Sequence, residues 1–297
     1  MEKEFYSGFV SIIGQPNVGK STLLNVFVNE HVAITSNKPQ TTRNKIQGIL
    51  TKDNTQIVFI DTPGVHAPKT KLGNYMMRAV DSSLSEIDCV LFLVSPTAKV
   101  SEGDRLTLAK LANVKAPVIL VINKVDTITH GEILTVIDTY KEIYEFKEIV
   151  PISALKRVNL SELLAAIKKY IPAGPQYFPD NMFTDQPEKQ IAAEIVREKA
   201  LLLLQDEIPH GVAVEIISMK KRGDRNLIDM ECTIYCEKDS HKGMIIGKNG
   251  TMLKNIGTQA RQEIARLFAV QINLQLWVKI KNDWRSNEFL VKNMGYK

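Results

Sequence analysis

The feature that most constrains this chain is the run Gly14-Gln15-Pro16-Asn17-Val18-Gly19-Lys20-Ser21-Thr22, which follows an apolar stretch at 9–13 and opens a helix-period stretch at 20–28. A strand, a glycine-containing loop and a helix in that order make a phosphate cradle. Glycines let main-chain N–H groups converge on an anion, and the helix N-terminus adds partial positive charge. Lys20 supplies a full charge to the β- and γ-phosphates of a nucleotide, and the Ser21 hydroxyl can ligate Mg²⁺. Such a loop needs a parallel sheet behind it. Apolar runs at 9–13, 46–50, 56–60, 90–94, 118–122 and 148–152 alternate with helical patterns, the clearest at 20–28, 132–143 and 160–170. That alternation predicts an α/β domain with a mostly parallel six-stranded sheet covered by helices. Asn159 and Ser161 offer capping chemistry at the start of the last helix.

The loop alone does not choose between ATP and GTP. Asn123-Lys124-Val125-Asp126 ends the fifth run, at the carboxyl edge where open α/β sheets bind ligands. An Asp carboxylate there can accept from both N1–H and the 2-amino group of guanine, whereas adenine offers neither donor. Ser153-Ala154-Leu155 follows the next strand, where a main-chain N–H can reach the 6-oxo group. Between these motifs lies Asp61-Thr62-Pro63-Gly64, with Asp61 placed to hold Mg²⁺ and the Gly64 N–H to read the γ-phosphate. The polar loop 36–43 has little apolar content to order it without ligand; it reads as a first switch in which Thr41 or Thr42 completes the Mg²⁺ shell. Val65 stands after Gly64 and cannot orient a water. The expected actors at the γ-phosphate are Lys20, Thr42 and Gly64.

Residues 171–182 break the alternation with three prolines and a glycine, and the predicted division is 1–172, a linker at 173–186, and 187–297. The second part reads as helix, two strands, two helices about a glycine turn, and a final strand, an α+β order. In that turn Ile246-Gly247-Lys248-Asn249-Gly250 allows a nucleic-acid backbone to approach closely, with Lys242, Lys248 and Lys254 as phosphate contacts. Charge agrees: residues 1–237 carry net −2 and residues 238–297 net +7, an excess suited to a polyanion or an anionic membrane surface. The run Lys220–Arg225 reads as a solvated hairpin turn, Gly257 inside a helix implies close packing, and Trp284 and Tyr296 read chiefly as packing aromatics.

Cys89, Cys232 and Cys236 are too few for a disulfide framework, and the last two read as strand residues rather than a metal pair. The longest apolar runs fall far short of the roughly 20 residues needed to cross a bilayer. With no apolar leader, a cytoplasmic monomer is expected.

The four nucleotide motifs resemble those of the translation-factor-related GTPases, and together with the glycine turn the chain resembles the Era family of bacterial GTPases, whose second domain is a prokaryotic-type KH domain. The resemblance implies GTP hydrolysis to GDP and phosphate, slow on its own because of Val65, with K⁺ coordinated through Asn17 as an activator. It further implies binding near the 3′ end of small-subunit ribosomal RNA, a role in assembly of the small ribosomal subunit, and peripheral contact with the inner membrane. The main competing reading is a GTP-regulated membrane-surface protein whose basic C-terminal region meets anionic lipid. A third is a constitutive RNA-binding module.

Overall fold

The computed structural model describes residues 4–38, 40–205, 208–223 and 226–296. The chain forms two compact units: Met1–Ala33, Thr42–Pro68 and Met76–Asp185 in one, and Ile34–Thr41, Lys69–Tyr75 and Gln186–Lys297 in the other.

In the first unit the strands are β1 (Tyr6–Gly14), β2 (Ile46–Lys52), β3 (Thr55–Asp61), β4 (Cys89–Val94), β5 (Val118–Ile122) and β6 (Glu148–Pro151). The helices are α1 (Lys20–Val28), α2 (Lys71–Ser82), α3 (Glu102–Leu111), α4 (His130–Lys141) and α5 (Leu160–Lys168), the first turn of α2 belonging to the second unit. The sheet runs β2-β3-β1-β4-β5-β6, and only β2 is antiparallel to its neighbour. That exception has a local cause. Lys52 pairs with Thr55, and Asp53 and Asn54 between them both take φ above 50°, the two-residue turn that matches strand twist. Central strands with helices on both faces bury nearly every residue: β4 and β5 are fully buried along their lengths.

β1 is flanked by β3 on one side and β4 on the other, and the chain crosses past it from β3 to β4. The loop after β1 therefore opens at the point where strand order reverses, the crevice in which such sheets hold ligands.

The expected cap on α5 is not made. Asn159 takes the left-handed conformation (φ 55°) without a side-chain cap bond and donates instead to the Pro151 carbonyl at 2.9 Å. Ser161 turns to Glu162. Residues 172–184 are strapped along the first unit: Gln56 Oε1 accepts from the Tyr177 and Phe178 N–H groups at 2.9 Å each, and Thr184 Oγ1 donates to the Gln47 carbonyl at 2.7 Å.

The second unit holds α6 (Glu188–Leu203), β7 (Ala213–Lys221), β8 (Leu227–Cys236), α7 (Asp239–Ile246), α8 (Thr251–Phe268), β9 (Gln271–Ile280) and α9 (Glu288–Asn293). Its sheet is β7-β8-β9, with β7 antiparallel and β9 parallel to β8. Ile195 and Val196 of α6, Ile245 of α7 and Ile256, Ala260 and Ile264 of α8 share a core with Cys232, Ile234 and Cys236 of β8. Both cysteines are thus free thiols within that core, as expected. Trp284 is fully buried, donates from Nε1 to the Gly211 carbonyl at 2.9 Å and stacks on Tyr296, so these aromatics pack rather than bind. In the 220–225 turn, Asp224 and Arg225 lie outside the described residues. No described helix is long and apolar enough to cross a membrane.

Candidate functional site

Three oxygens meet beside the phosphate loop. Ser21, at the start of α1 with Thr22, donates from Oγ to Asp61 Oδ2 at 2.6 Å and lies 2.8 Å from Thr42 Oγ1. Thr42 Oγ1 is 3.4 Å from the same carboxylate oxygen. Thr41, the alternative read from sequence, turns away and donates to the Lys38 carbonyl at 2.6 Å. Asp61 Oδ1 is buried with no hydrogen-bond partner among the described residues. A buried carboxylate with an unused oxygen beside two hydroxyls is a donor set for a hard cation.

Lys20 lies next to this cluster, buried, and folds back to donate from Nζ to the carbonyls of Gly14 (3.1 Å) and Gln15 (2.7 Å). Burial holds the Lys20 ammonium down to about 8, against the opposing pull of Asp61. Burial likewise pushes the Asp61 carboxyl up to about 6, against Lys20 and the hydrogen bonds of Ser21 and Thr42. Each group is an imperfectly solvated charge, the lysine relieved by an arriving anion such as a phosphate and the aspartate by an arriving cation.

The stretch Thr62–Val65 touches the same loop. Val65 donates its N–H to the Gly14 carbonyl at 3.0 Å, Thr62 Oγ1 donates to the Ile12 carbonyl at 2.8 Å, and a Cβ on Gly64 would meet the Pro16 nitrogen at 2.5 Å. Only glycine fits between Pro63 and Val65. Val65 itself is buried, out of reach of any water to be oriented. Gln15 contributes main chain here, since its side-chain amide goes to Ser101 Oγ.

At the other end of the crevice Asn123 joins three motifs. Its Nδ2 donates to the Val18 carbonyl at 2.8 Å, and its Oδ1 accepts from the N–H groups of Lys124 (2.8 Å) and Ala154 (2.9 Å). Lys124 Nζ reaches the Asn17 carbonyl at 2.6 Å. Asn123 is therefore a brace that sets Lys124 and the Ser153–Leu155 turn relative to the phosphate loop. Ser153 Oγ fixes that turn by accepting from the Lys156 N–H at 3.1 Å. Asp126 stands exposed in the turn Val125–Thr127, where its carboxylate is open to a base.

In the second unit Gly247 ends α7 and Gly250 begins α8, both at positive φ (73° and 75°). A Cβ on Gly247 would lie 2.7 Å from that of Met252, so the turn is compact and presents main chain outward. Lys248 and Asn249 at its tip are exposed, as is Lys254 on α8. A groove of about 370 Å³ opens beside it, lined by Gly250, Leu253, Lys254, Gly257, Arg261 and Leu276 among others. Gly257, noted in the sequence for its place in a helix, brings β9 close: a Cβ there would lie 3.1 Å from Leu276 Cδ1. Lys242 and Ile246 sit on α7 and do not line this groove. The wall residues Leu253, Leu274 and Leu276 escaped the sequence reading, because nothing local distinguishes a groove-lining leucine from a core one.

The 50S ribosome-binding GTPase family model matches residues 9–124, and the KH domain model matches residues 207–285. The GTPase Era of Clostridioides difficile (strain 630) is 54% identical over 293 residues, covering 98% of this chain and 99% of that one. That of Clostridium kluyveri (strain NBRC 12016) is 52% identical over 291 residues, with 98% and 99% covered. The chain belongs to the Era family of GTPases. Two solved Era structures match it at 41% identity over 98% of this chain and 99% of theirs. One, with TM-score 0.95, is Era in complex with MgGDPNP and nucleotides 1506–1542 of 16S ribosomal RNA. The other, with TM-score 0.94, is an Aquifex aeolicus Era variant bound to GDP·AlF4⁻. The expected fold, a P-loop GTPase domain followed by a KH domain, and the expected enzymatic class, GTPase, both hold for this Era-family chain.

Proposed function

We propose that this GTPase is a nucleotide-driven switch that binds small-subunit ribosomal RNA near its 3′ end and acts as a monomer in assembly of the small ribosomal subunit. The observation that carries the reading is the glycine turn with Lys248 at its tip, opening on a groove edged by Lys254 and Arg261. This stands in a chain that matches, over nearly its whole length, an Era bound to that RNA. Single-stranded bases fit a groove with an apolar floor and cationic edges, the phosphates following the turn.

Along the first unit, Asp126 accepts from the guanine edge, Asn123 braces the base and phosphate motifs, and main chain from Gly14 to Thr22 wraps the phosphates. Ser21, Asp61 and Thr42 would hold Mg²⁺, which would supply positive charge to the β- and γ-phosphates. Lys20 leaves the loop carbonyls to take up γ-phosphate charge as it develops. The Gly64 N–H reads the γ-phosphate. With Val65 buried, water is placed by main chain near Thr42 and Gly64 rather than by a side chain. Asn17 holds K⁺ beside the phosphates in this reading, and replacing Na⁺ by K⁺ is expected to raise kcat several-fold; identical rates in both salts would remove the K⁺ role.

The RNA reading is tested against lipid by measuring the affinity of the full chain for a labelled RNA of the small-subunit 3′ end and for anionic vesicles. Submicromolar RNA binding that vesicles do not compete supports it. Binding to vesicles alone would place the protein, through its basic C-terminal region, on the inner membrane's cytoplasmic face.

A further inference from the structure

The loop that bears Thr42 is gripped from a distance in sequence. Helix α6 buries an apolar face (Ile191, Ala192, Ile195, Val196) in the core of the second unit, yet its next two residues, Arg197 and Glu198, are charged and equally buried, 1% and 2% exposed. Charged groups are rarely buried to this degree without a full set of partners.

Several of those partners lie in the Ile34–Thr41 segment, which belongs to the same compact unit. The Arg197 guanidinium pairs with Glu194, Nε to Oε1 at 2.9 Å and Nη2 to Oε2 at 2.5 Å. Nη1 and Nη2 also donate to the carbonyls of Gln40 (3.4 Å) and Thr41 respectively. Glu198 Oε1 accepts from the Thr35 N–H at 2.7 Å and the Thr35 hydroxyl at 3.3 Å. Its second oxygen meets Lys199 Nζ at 2.8 Å, and Lys199 in turn pairs with Glu263 of α8. Between these two grips, Lys38 Nζ donates to the Leu204 carbonyl at the C-terminal end of α6. The segment is thus tied near its start, middle and end, and Thr42 is the residue that follows the last tie. Were the segment to leave, the buried guanidinium would lose two carbonyl acceptors and the buried Glu198 carboxylate two donors from Thr35, a heavier loss than that of a surface contact.

We propose that Arg197 and Glu198 are positioning residues for GTP hydrolysis: by holding the main chain of Ile34–Thr41 they keep Thr42 at the Ser21–Asp61 cluster. The inference rests on the hydrolytic role given to Thr42 above. RNA affinity is not among its readouts, so failure of the RNA reading would leave it standing.

The test compares full-length wild type with Arg197→Gln. Hydrogen exchange of a peptide spanning 34–42 in the nucleotide-free protein is expected to speed up at least tenfold. The variant's kcat for GTP should fall about tenfold while KM stays within about twofold, with Mg²⁺ half-saturation shifting about fivefold upward, the range of ordinary coupling between sites. A packing defect alone would not move the Mg²⁺ dependence. Should Arg197→Gln fail to fold, Lys38→Ala, on the loop rather than the helix, is expected to give the same pattern at smaller size. Unchanged exchange over 34–42 overturns the proposal, as does faster exchange with kcat and Mg²⁺ dependence left at wild-type values.

Discussion

Asp126→Ala is expected to weaken GTP binding about 10³-fold while leaving the fold intact. The carboxylate would accept two hydrogen bonds from guanine, each charge-assisted and worth roughly 1.5–3 kcal/mol, so their joint loss is on the order of 10²–10⁴ in Kd. Asp126 stands exposed in a short turn, so Tm should move by no more than about 2 °C. The sign of the effect can be inverted as a control. Asp126→Asn keeps one acceptor oxygen for N1–H and replaces the other by a donor, and should favour a purine with a 2-oxo group over guanine, a swap that a merely destabilised turn would not produce. Calorimetry with each nucleotide reads both changes; GTP affinity within threefold of wild type in Asp126→Ala would remove the base-recognition role.

The second large effect lies in the other unit. Reversing charge at the glycine turn should abolish RNA binding, but the choice of residues matters. Asn249 sits at φ 51°, ψ 29°, a left-handed conformation that Asn tolerates and Glu does not, at a cost of roughly 1 kcal/mol. Lys248→Glu with Lys254→Glu avoids this strain, since Lys254 is exposed on a helix that Glu also favours. The pair is expected to lower RNA affinity at least about 10²-fold at 100 mM salt and to flatten the salt dependence, the slope falling by about 0.7 for every phosphate of single-stranded RNA that is no longer neutralised. Filter binding at several salt concentrations measures both, and GTP affinity of the same sample serves as the folding control. An unchanged salt slope would mean that these lysines do not meet phosphate.

Much of this chain was legible because its chemistry is local. A phosphate cradle needs closely spaced glycines, lysine and serine, so Gly14 to Ser21 announces itself, and Asp61, Asn123 and Asp126 each lie at or just past the end of a buried strand where a ligand can be met. The KH turn is similarly compact. What sequence did not reveal depends on groups far apart in the chain. Thr41 and Thr42 are equivalent as neighbours; they are told apart by their hydroxyl partners, Ser21 and Asp61 for Thr42 and the Lys38 carbonyl for Thr41. Arg197 and Glu198 look like solvated helix residues in the sequence, because a helical period marks an apolar face but not a buried charge awaiting a loop. Asn159 carries the right side chain for a cap in the wrong backbone conformation, its left-handed φ directing the amide to Pro151. The groove wall on β9 is hidden for a related reason, since Leu274 and Leu276 acquire their role only when Gly257 lets α8 approach.

In the proposed reading, the state of the bound nucleotide governs affinity for RNA. The most direct test is the affinity of the full chain for single-stranded RNA of the small-subunit 3′ end, measured with a non-hydrolysable GTP analogue, with GDP and without nucleotide, at one Mg²⁺ and salt concentration. The predicted result is tenfold or tighter binding with the GTP analogue than with GDP. Equal affinity in all three would contradict the switch and leave a constitutive RNA-binding protein with a GTPase attached.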